Sequence, residues 1–154
     1  MLVEVQVTIA GSKDAIWSAI TNIEGAAEII SGIDKIEVLD KPATGLVGLK
    51  WRETRMLFGK PATADKWITE AVENEFYKTR AESDGFVFLS TLSMAESSGG
   101  ITLTSIHDSQ PQSIGARIMS VPMSLFFKGV ARKALLQDLN DIRNAVEGEK
   151  LSAA

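Results

Sequence analysis

Hydrophobic and polar residues alternate over the first nine positions of the chain, where four apolar residues are separated by polar ones: Val3, Val5, Val7 and Ile9. A period of two is that of a β-strand with one buried face. After Gly11 the spacing becomes helical, with Ser12 as the N-cap of a short helix through Ile20. Thr21 and Glu24 have the spacing of a capping box, which predicts a second short helix through Ile30, closed by Gly32.

From Ile33 to about Gln110 the pattern predicts only strands and turns. Six segments are typical of strands, at residues 33–39, 48–58, 63–72, 76–82, 86–95 and 101–107. Glycine, proline or asparagine separates most of them, and Asp84-Gly85 is a strong hairpin signal. Because every connection is short, we expect neighbouring strands to pair antiparallel. Pro111 is expected to break the sheet.

The stretch from Ile114 to Val146 is the one segment helical enough to cover a whole sheet. From Leu125 onward its apolar residues recur three or four apart, with polar residues such as Asp138 between them. Residues 125–147 would form a helix about 35 Å long, which matches a strand of ten residues. Pro122 is expected to kink or restart this helix, so Ile114 to Ser124 should roof a pocket. The order of elements predicts one α+β domain over residues 1–150, with 151–154 as a tail.

Composition and charge narrow the class of protein. The chain has 154 residues, of which 45% are hydrophobic and 23% charged, as in an ordinary globular domain. Its net charge of -4 argues against nucleic-acid binding, which needs a clustered basic face. It has no cysteine and one histidine, so we expect no metal site and no cofactor. We see no signal peptide and no apolar run of membrane-spanning length, and expect a soluble, cytoplasmic protein without stable membrane insertion.

Two motifs and the order of elements carry a resemblance to a known family. The strand Gly48 to Arg55 (GLKWRETR), the turn Leu57 to Pro61 (LFGKP), the strand-helix-helix opening and the closing helix resemble the polyketide cyclase/dehydrase branch of the START-like, Bet v 1-like (SRPBCC) superfamily. The resemblance covers nearly the whole chain. It implies a helix-grip fold, in which a curved seven-stranded antiparallel sheet wraps round the C-terminal helix and leaves an apolar cavity. It does not fix the reaction, because such relatives include carriers, cyclases, aromatases, hydrolases and quinone-associated proteins.

Strand alternation predicts which side chains face the closing helix. In the fourth strand it points Trp67, Thr69 and Ala71 inward, with Lys66 and Glu70 outward. The other inward residues named as candidate ligand contacts are Trp51, Arg55, Tyr77, Thr79, Phe88 and Ser90. In the third strand Glu53 also faces inward, and two charges in an apolar interior must pair, bind polar neighbours or contact a ligand. A slipped or bulged strand would instead leave Glu53 and Arg55 solvated.

Glu53 and His107 are the candidate catalytic residues. Burial would raise the pKa of Glu53 towards neutrality, whereas Arg55 would lower it, so the sign stays open. His107, at the end of the seventh strand, has an ordinary pKa suited to acid-base work. The competing interpretation is a partly solvated rim histidine with no catalytic role. Met119 and Met123, with loop 40–48, are predicted to form the pocket mouth, and Phe127 to line it, although core packing explains such residues equally well.

Three functions fit these features. The leading hypothesis is binding of a hydrophobic or aromatic small molecule (lipid, polyketide or quinone-like), anchored at Glu53, Arg55 or Tyr77. The second is a metal-independent cyclase, aromatase or dehydratase in which Glu53 or His107 moves protons. The third is a partner-binding protein, as the resemblance to quinone-associated members implies. The sequence leaves a homodimer open.

Overall fold

The computed structural model describes residues 1–83 and 85–153, except for the side chains at 116, 119–126 and 149–153. In chain order the elements are β1 (Leu2–Ile9), α1 (Lys13–Thr21), α2 (Ala26–Ile29), β2 (Ile33–Asp40), β3 (Lys50–Leu57), β4 (Lys60–Val72), β5 (Phe76–Ser83), β6 (Phe86–Ser97), β7 (Gly100–Pro111) and α3 (Ile114–Ala153). The predicted α+β order of elements is confirmed.

All seven strands form one antiparallel sheet in the order β1-β7-β6-β5-β4-β3-β2. The α1–α2 connection carries the chain from β1 at one edge to β2 at the other, and β2 to β7 then follow as hairpins. Residues on one face of the sheet point towards α3. This arrangement confirms the helix-grip fold, with the sheet curved round the C-terminal helix.

The main core lies where the C-terminal half of α3 covers β1 and β7. Leu139, Ile142 and Val146 are buried there, together with the inward residues of β1 and with Ile16 and Ile20 of α1. A smaller cluster, near the start of β3, contains four buried residues: Ile23, Leu49, Trp51 and Ile68. Among the described side chains of α3, the buried ones lie in its C-terminal half.

The first short helix agrees with its predicted start, whereas the second does not. The Ser12 Oγ atom accepts a hydrogen bond from the Ala15 backbone N–H at 3.1 Å, as expected of an N-cap. Thr21 is the last residue of α1, and its hydroxyl donates to the Trp17 carbonyl at 2.6 Å. The predicted capping box is therefore wrong, because Thr21 is occupied within α1 and α2 begins only after Gly25.

One of the two proline predictions needs correction. The sheet ends at Pro111 as predicted, because Pro111 is the last residue of β7 and lies opposite Phe86 at the start of β6. A proline costs no ladder hydrogen bond at the end of a strand. Pro122 does not restart α3, which is continuous for 40 residues. At about 1.5 Å per residue α3 is roughly 60 Å long, longer than any strand, so part of it extends past the sheet.

A β-bulge in β4 reverses part of the predicted inward face. Ile68 pairs with Thr79 and Glu70 pairs with Lys78, which leaves Thr69 as an extra residue between them. Such an extra residue shifts the alternation of every residue before it. Alternation continued back through the bulge therefore gives the wrong face for the first half of β4.

The inward residues of β4 before the bulge are Lys66 and Ile68, and Ile68 is 1% exposed. The predictions that Trp67 and Thr69 face inward and that Lys66 faces outward are wrong. Trp67 lies on the outer face, where the Lys50 ammonium is 5.6 Å from its ring centroid, and Thr69 is exposed. Ala71 follows the bulge and, as predicted, lies on the inner face beside Tyr77.

Candidate functional site

The concave face of the sheet carries three charged groups that form one cluster with a fourth group on α3. Glu53 and Arg55 lie on the face of β3 towards α3, so the slipped-strand interpretation does not apply. Lys66 is on the same face of β4, and Asp138 reaches the cluster from α3. We call Glu53, Arg55, Lys66 and Asp138 the interior ion cluster.

Each carboxylate of the interior ion cluster has a charged donor. Glu53 Oε2 accepts hydrogen bonds from Arg55 Nε at 2.7 Å and from Lys66 Nζ at 2.9 Å. Arg55 then donates through its two terminal nitrogens to the two oxygens of Asp138, at 3.1 and 2.8 Å. Two cations and two carboxylates leave no net charge. The bidentate Arg55–Asp138 pair also joins β3, the strand next to the edge strand β2, directly to α3.

Burial makes this pairing obligatory. Glu53 is only 7% exposed, and an ion taken out of water loses several kcal/mol of solvation unless partners replace the water. The remaining Glu53 oxygen, Oε1, lies 3.5 Å from the Trp51 indole nitrogen, which donates to it. Glu53 and Arg55 therefore satisfy each other and their neighbours within the protein.

The charges fix the protonation of the cluster. Burial alone would raise the pKa of Glu53, but Lys66 and Arg55 outweigh it and lower that pKa from 4.5 to about 2. Burial raises the pKa of Asp138 above its ordinary value, although Arg55 opposes the shift. At neutral pH the Glu53 carboxylate is ionised, has no proton to donate and is too weak a base to suit proton transfer.

His107 lies on the concave face, half-buried, rather than on a solvated rim. Its Nδ1 atom is 2.9 Å from Ser90 Oγ, and its ring stacks on Phe88 with centroids 5.9 Å apart. Burial, with a smaller contribution from Lys66, lowers the pKa of His107 from 6.5 to about 4. The imidazole is thus neutral at pH 7 and can accept or share a proton with Ser90, depending on its tautomer.

Tyr77 and Thr79 also face inward from β5. The Tyr77 hydroxyl donates to the Ile20 carbonyl at 3.2 Å, and its ring meets the Trp17 ring edge-on at 6.3 Å. Burial raises the pKa of Tyr77, so the phenol stays protonated. Tyr77 therefore fastens α1 to the sheet, whereas Thr79 lies opposite Ser90 of β6.

The predicted mouth is only partly located by the structure. Met119 and Met123 lie among the side chains outside the described set. Phe127 contacts Phe58 at the β3–β4 turn, with ring centroids 5.4 Å apart. Loop 40–48 lies at the opposite end of β3, where it lines a separate cleft of about 230 Å³ with Asn22 and Ile23. That loop therefore does not share a mouth with Phe127.

The sequence does not identify Lys66 and Asp138 as members of the interior ion cluster. Alternation predicts Lys66 on the outer face, because an alternating pattern does not reveal a bulge. Asp138, by contrast, had a usable signal: it is three residues after Leu135 and four before Ile142, the spacing of one helix face. Among the described residues no group of three or more histidine, aspartate or glutamate side chains is placed to hold a metal ion.

We predict that Glu53→Gln lowers the free energy of unfolding by about 3 kcal/mol at pH 7, from the fall in pKa of Glu53 from 4.5 to about 2. Because its pKa is lowered in the folded chain, ionised Glu53 contributes fully to the free energy of unfolding above pH 4.5. That contribution is lost as the pH falls towards 2. The difference between wild type and variant should therefore shrink over that range in urea titrations. Glu70→Gln, which breaks an exposed pair with Lys78, is the control and should have little effect. A difference independent of pH would contradict the assignment.

We also predict that His107, the single histidine, titrates near pH 4 in the folded chain. The shift of its ring protons in NMR spectra reports the midpoint directly, and the urea-unfolded chain should titrate near 6.5. The pKa of His107 is lower in the folded chain than in the unfolded chain, so the unfolded chain binds the proton first. The free energy of unfolding should therefore fall as the pH falls from 6.5 to 4. A folded midpoint between 6 and 7 would instead identify a solvated rim histidine.

No protein-family model matches the chain, and no curated protein matches it in sequence. Solved structures do match. The di-domain ARO/CYC StfQ from the steffimycin biosynthetic pathway superposes with a TM-score of 0.80 at 10% identity, over 97% of this chain and 52% of that one. This chain thus spans about half the length of that di-domain protein.

Two further structures match over nearly their whole length. A START superfamily protein from Mycobacterium smegmatis has a TM-score of 0.78 at 18% identity, covering 96% of this chain and 97% of that one. The Zhui aromatase/cyclase from Streptomyces sp. R1128 has a TM-score of 0.72 at 16% identity, covering 96% and 93%. Likeness at such low identity concerns the fold. The chain has the helix-grip fold, which it shares with this START superfamily protein and with these aromatase/cyclases.

Proposed function

We propose that this protein binds an apolar or aromatic small molecule between the concave face of β5–β7 and the N-terminal half of α3. The main observation in support of this proposal is a change in burial along the inner faces of β6 and β7. On the inner face of β6, Met94 is 7% exposed, whereas Phe88 and Ser90 are only partly buried. On β7, Leu103 is fully buried, whereas His107 is partly exposed. The concave face is thus closed around Met94 and Leu103 and more accessible around Phe88, Ser90 and His107, with the buried Ser109 beyond them.

The accessible part has the chemistry of a pocket for a mostly apolar molecule. Phe88 and the neutral His107 ring supply stacked planar surfaces, while Thr79 and Ser90 supply hydroxyl groups. Such sites are typically apolar with a few polar groups that fix orientation. Because Glu53 and Arg55 bind each other, the polar anchors of a ligand are Thr79, Ser90 and His107. The fold shared with a START superfamily protein and with aromatase/cyclases supports this proposal.

We expect Thr79→Phe to fill this space and to weaken binding of the fluorescent probe ANS at least tenfold, measured by fluorescence titration. Thr91→Phe is the matched control, because Thr91 is on the adjacent strand but faces the opposite side of the sheet. It should bind ANS like the wild type. Native mass spectrometry of the purified protein should also find a co-purified apolar compound. The proposal would be contradicted if the wild type showed no saturable ANS binding, or if Thr79→Phe and Thr91→Phe lost ANS affinity equally.

The second candidate function is an aromatase/cyclase-type reaction in the same space, with His107 as the proton-transfer group. The specific observation in its favour is the 2.9 Å contact between Ser90 Oγ and the neutral His107 ring on the accessible face. A neutral imidazole can take a proton next to a ketone and return it to oxygen. Glu53 is a poorer candidate because its carboxylate is held by Arg55 and Lys66.

This candidate predicts that wild-type protein accelerates formation of an aromatic product from a linear poly-β-ketone, followed by ultraviolet absorbance. His107→Gln should lower the rate roughly 100-fold or more, because general acid-base catalysis contributes that much. Because His107 is also a polar anchor, ANS titration of the same variant measures its loss of binding separately from its loss of rate. No acceleration by the wild type, or an unchanged rate in His107→Gln, would leave the binding function alone.

A further inference from the structure

Three consecutive large apolar side chains are exposed where β3 turns into β4. Met56, Leu57 and Phe58 are 53%, 50% and 67% exposed. We call these three residues the apolar end. Phe58 contacts Phe127 of α3, with ring centroids 5.4 Å apart. The hairpin tip therefore lies against α3 at Phe127.

At the hairpin tip, Phe58 has a backbone conformation that phenylalanine rarely adopts. Phe58 has φ 52° and Gly59 has φ 78°, the left-handed pair of a two-residue turn that normally favours Asn-Gly. The other described non-glycine residue with positive φ is Asn74, an asparagine that suits this conformation. Phenylalanine is disfavoured there, and most of its ring remains in water. Its presence at the tip contributes little to the stability of this chain and indicates an external partner.

The charge around the apolar end differs from that of the whole protein. The chain has a net charge of -4, yet its sequence contains no aspartate or glutamate between Asp108 and Asp138. Lys128 is exposed on α3 next to Phe127, and Lys60 is exposed beside the hairpin tip. Exposed apolar side chains flanked by cations are the surface pattern of proteins that rest on anionic membranes.

We propose that the apolar end docks on an anionic lipid bilayer. Met56, Leu57 and Phe58 enter the interface between headgroups and acyl chains, and Lys60 and Lys128 meet acidic headgroups. The described part of the chain holds no helix long and apolar enough to cross a membrane, so the contact is peripheral. A second copy of the chain fits this end less well, because a two-fold contact would bring its cations together. The proposal does not depend on the identity of the ligand.

The test is co-sedimentation of the full chain with vesicles of phosphatidylcholine, with or without phosphatidylglycerol. The wild type should bind the vesicles that contain phosphatidylglycerol, and less so in high salt. Phe58→Asn should lower the partition roughly tenfold by removing an aromatic ring from the interface. It should leave the melting temperature unchanged or higher, because asparagine suits the positive φ of this position. Loss of vesicle binding would then not reflect misfolding.

Two further variants complete the test. Val47→Asn removes a 52% exposed apolar side chain at the opposite end of β3 and should leave vesicle binding unchanged. Lys60→Glu should weaken binding to anionic vesicles about fivefold or more, without changing the behaviour towards phosphatidylcholine alone. The proposal is overturned if the wild type does not prefer anionic vesicles, or if Phe58→Asn and Val47→Asn bind alike. The proposal is also overturned if the wild type forms a dimer and binds no vesicles, and if Phe58→Asn abolishes that dimer. The apolar end would then bind a second copy of the chain.

Discussion

The bidentate ion pair between Arg55 and Asp138 joins the long helix to β3, the strand next to the edge strand β2, and the other buried charges are arranged around it. Arg55 brings Glu53 with it, and Glu53 requires Lys66 as a second donor because it is almost fully buried. Four charges in the interior are tolerated because each has a partner and their sum is zero. An apolar helix–sheet contact could slide, whereas a bidentate pair has one geometry, which holds α3 at a fixed position over the sheet.

That fixed position divides the concave face into two parts. Towards the C-terminus of α3, Leu139, Ile142 and Val146 close the interior against β1 and β7. Towards its N-terminus, the inward residues of β6 and β7 change from buried aliphatic side chains to the partly exposed Phe88, Ser90 and His107. A helix longer than the sheet, packed mainly at one half, leaves room for a ligand at the other without loss of the core.

The same geometry accounts for the chemical character of the accessible part. The charges of the interior ion cluster pair with one another, so the cluster presents no net charge to a ligand. Burial keeps His107 neutral, and Tyr77 is occupied by the Ile20 carbonyl. What remains is planar surface with a few hydroxyl and imidazole groups, which suits a neutral aromatic or apolar molecule better than an ion. The apolar end of the molecule lies near this part through the contact of Phe58 with Phe127.

The sequence by itself determined the elements and their order, because hydrophobic periodicity and turn residues are local signals. The alternation of β1, the Ser12 cap and the amphipathic C-terminal half of α3 depend on neighbours along the chain, and each was predicted. The inward placement of Glu53, Arg55 and His107 also followed from alternation. Only the tertiary structure decided that Lys66 replaces Trp67 on the inner face, because one bulge residue reverses the alternation of a strand. It likewise decided that the pKa of Glu53 is lowered, because the second donor, Lys66, lies 13 residues away on the neighbouring strand.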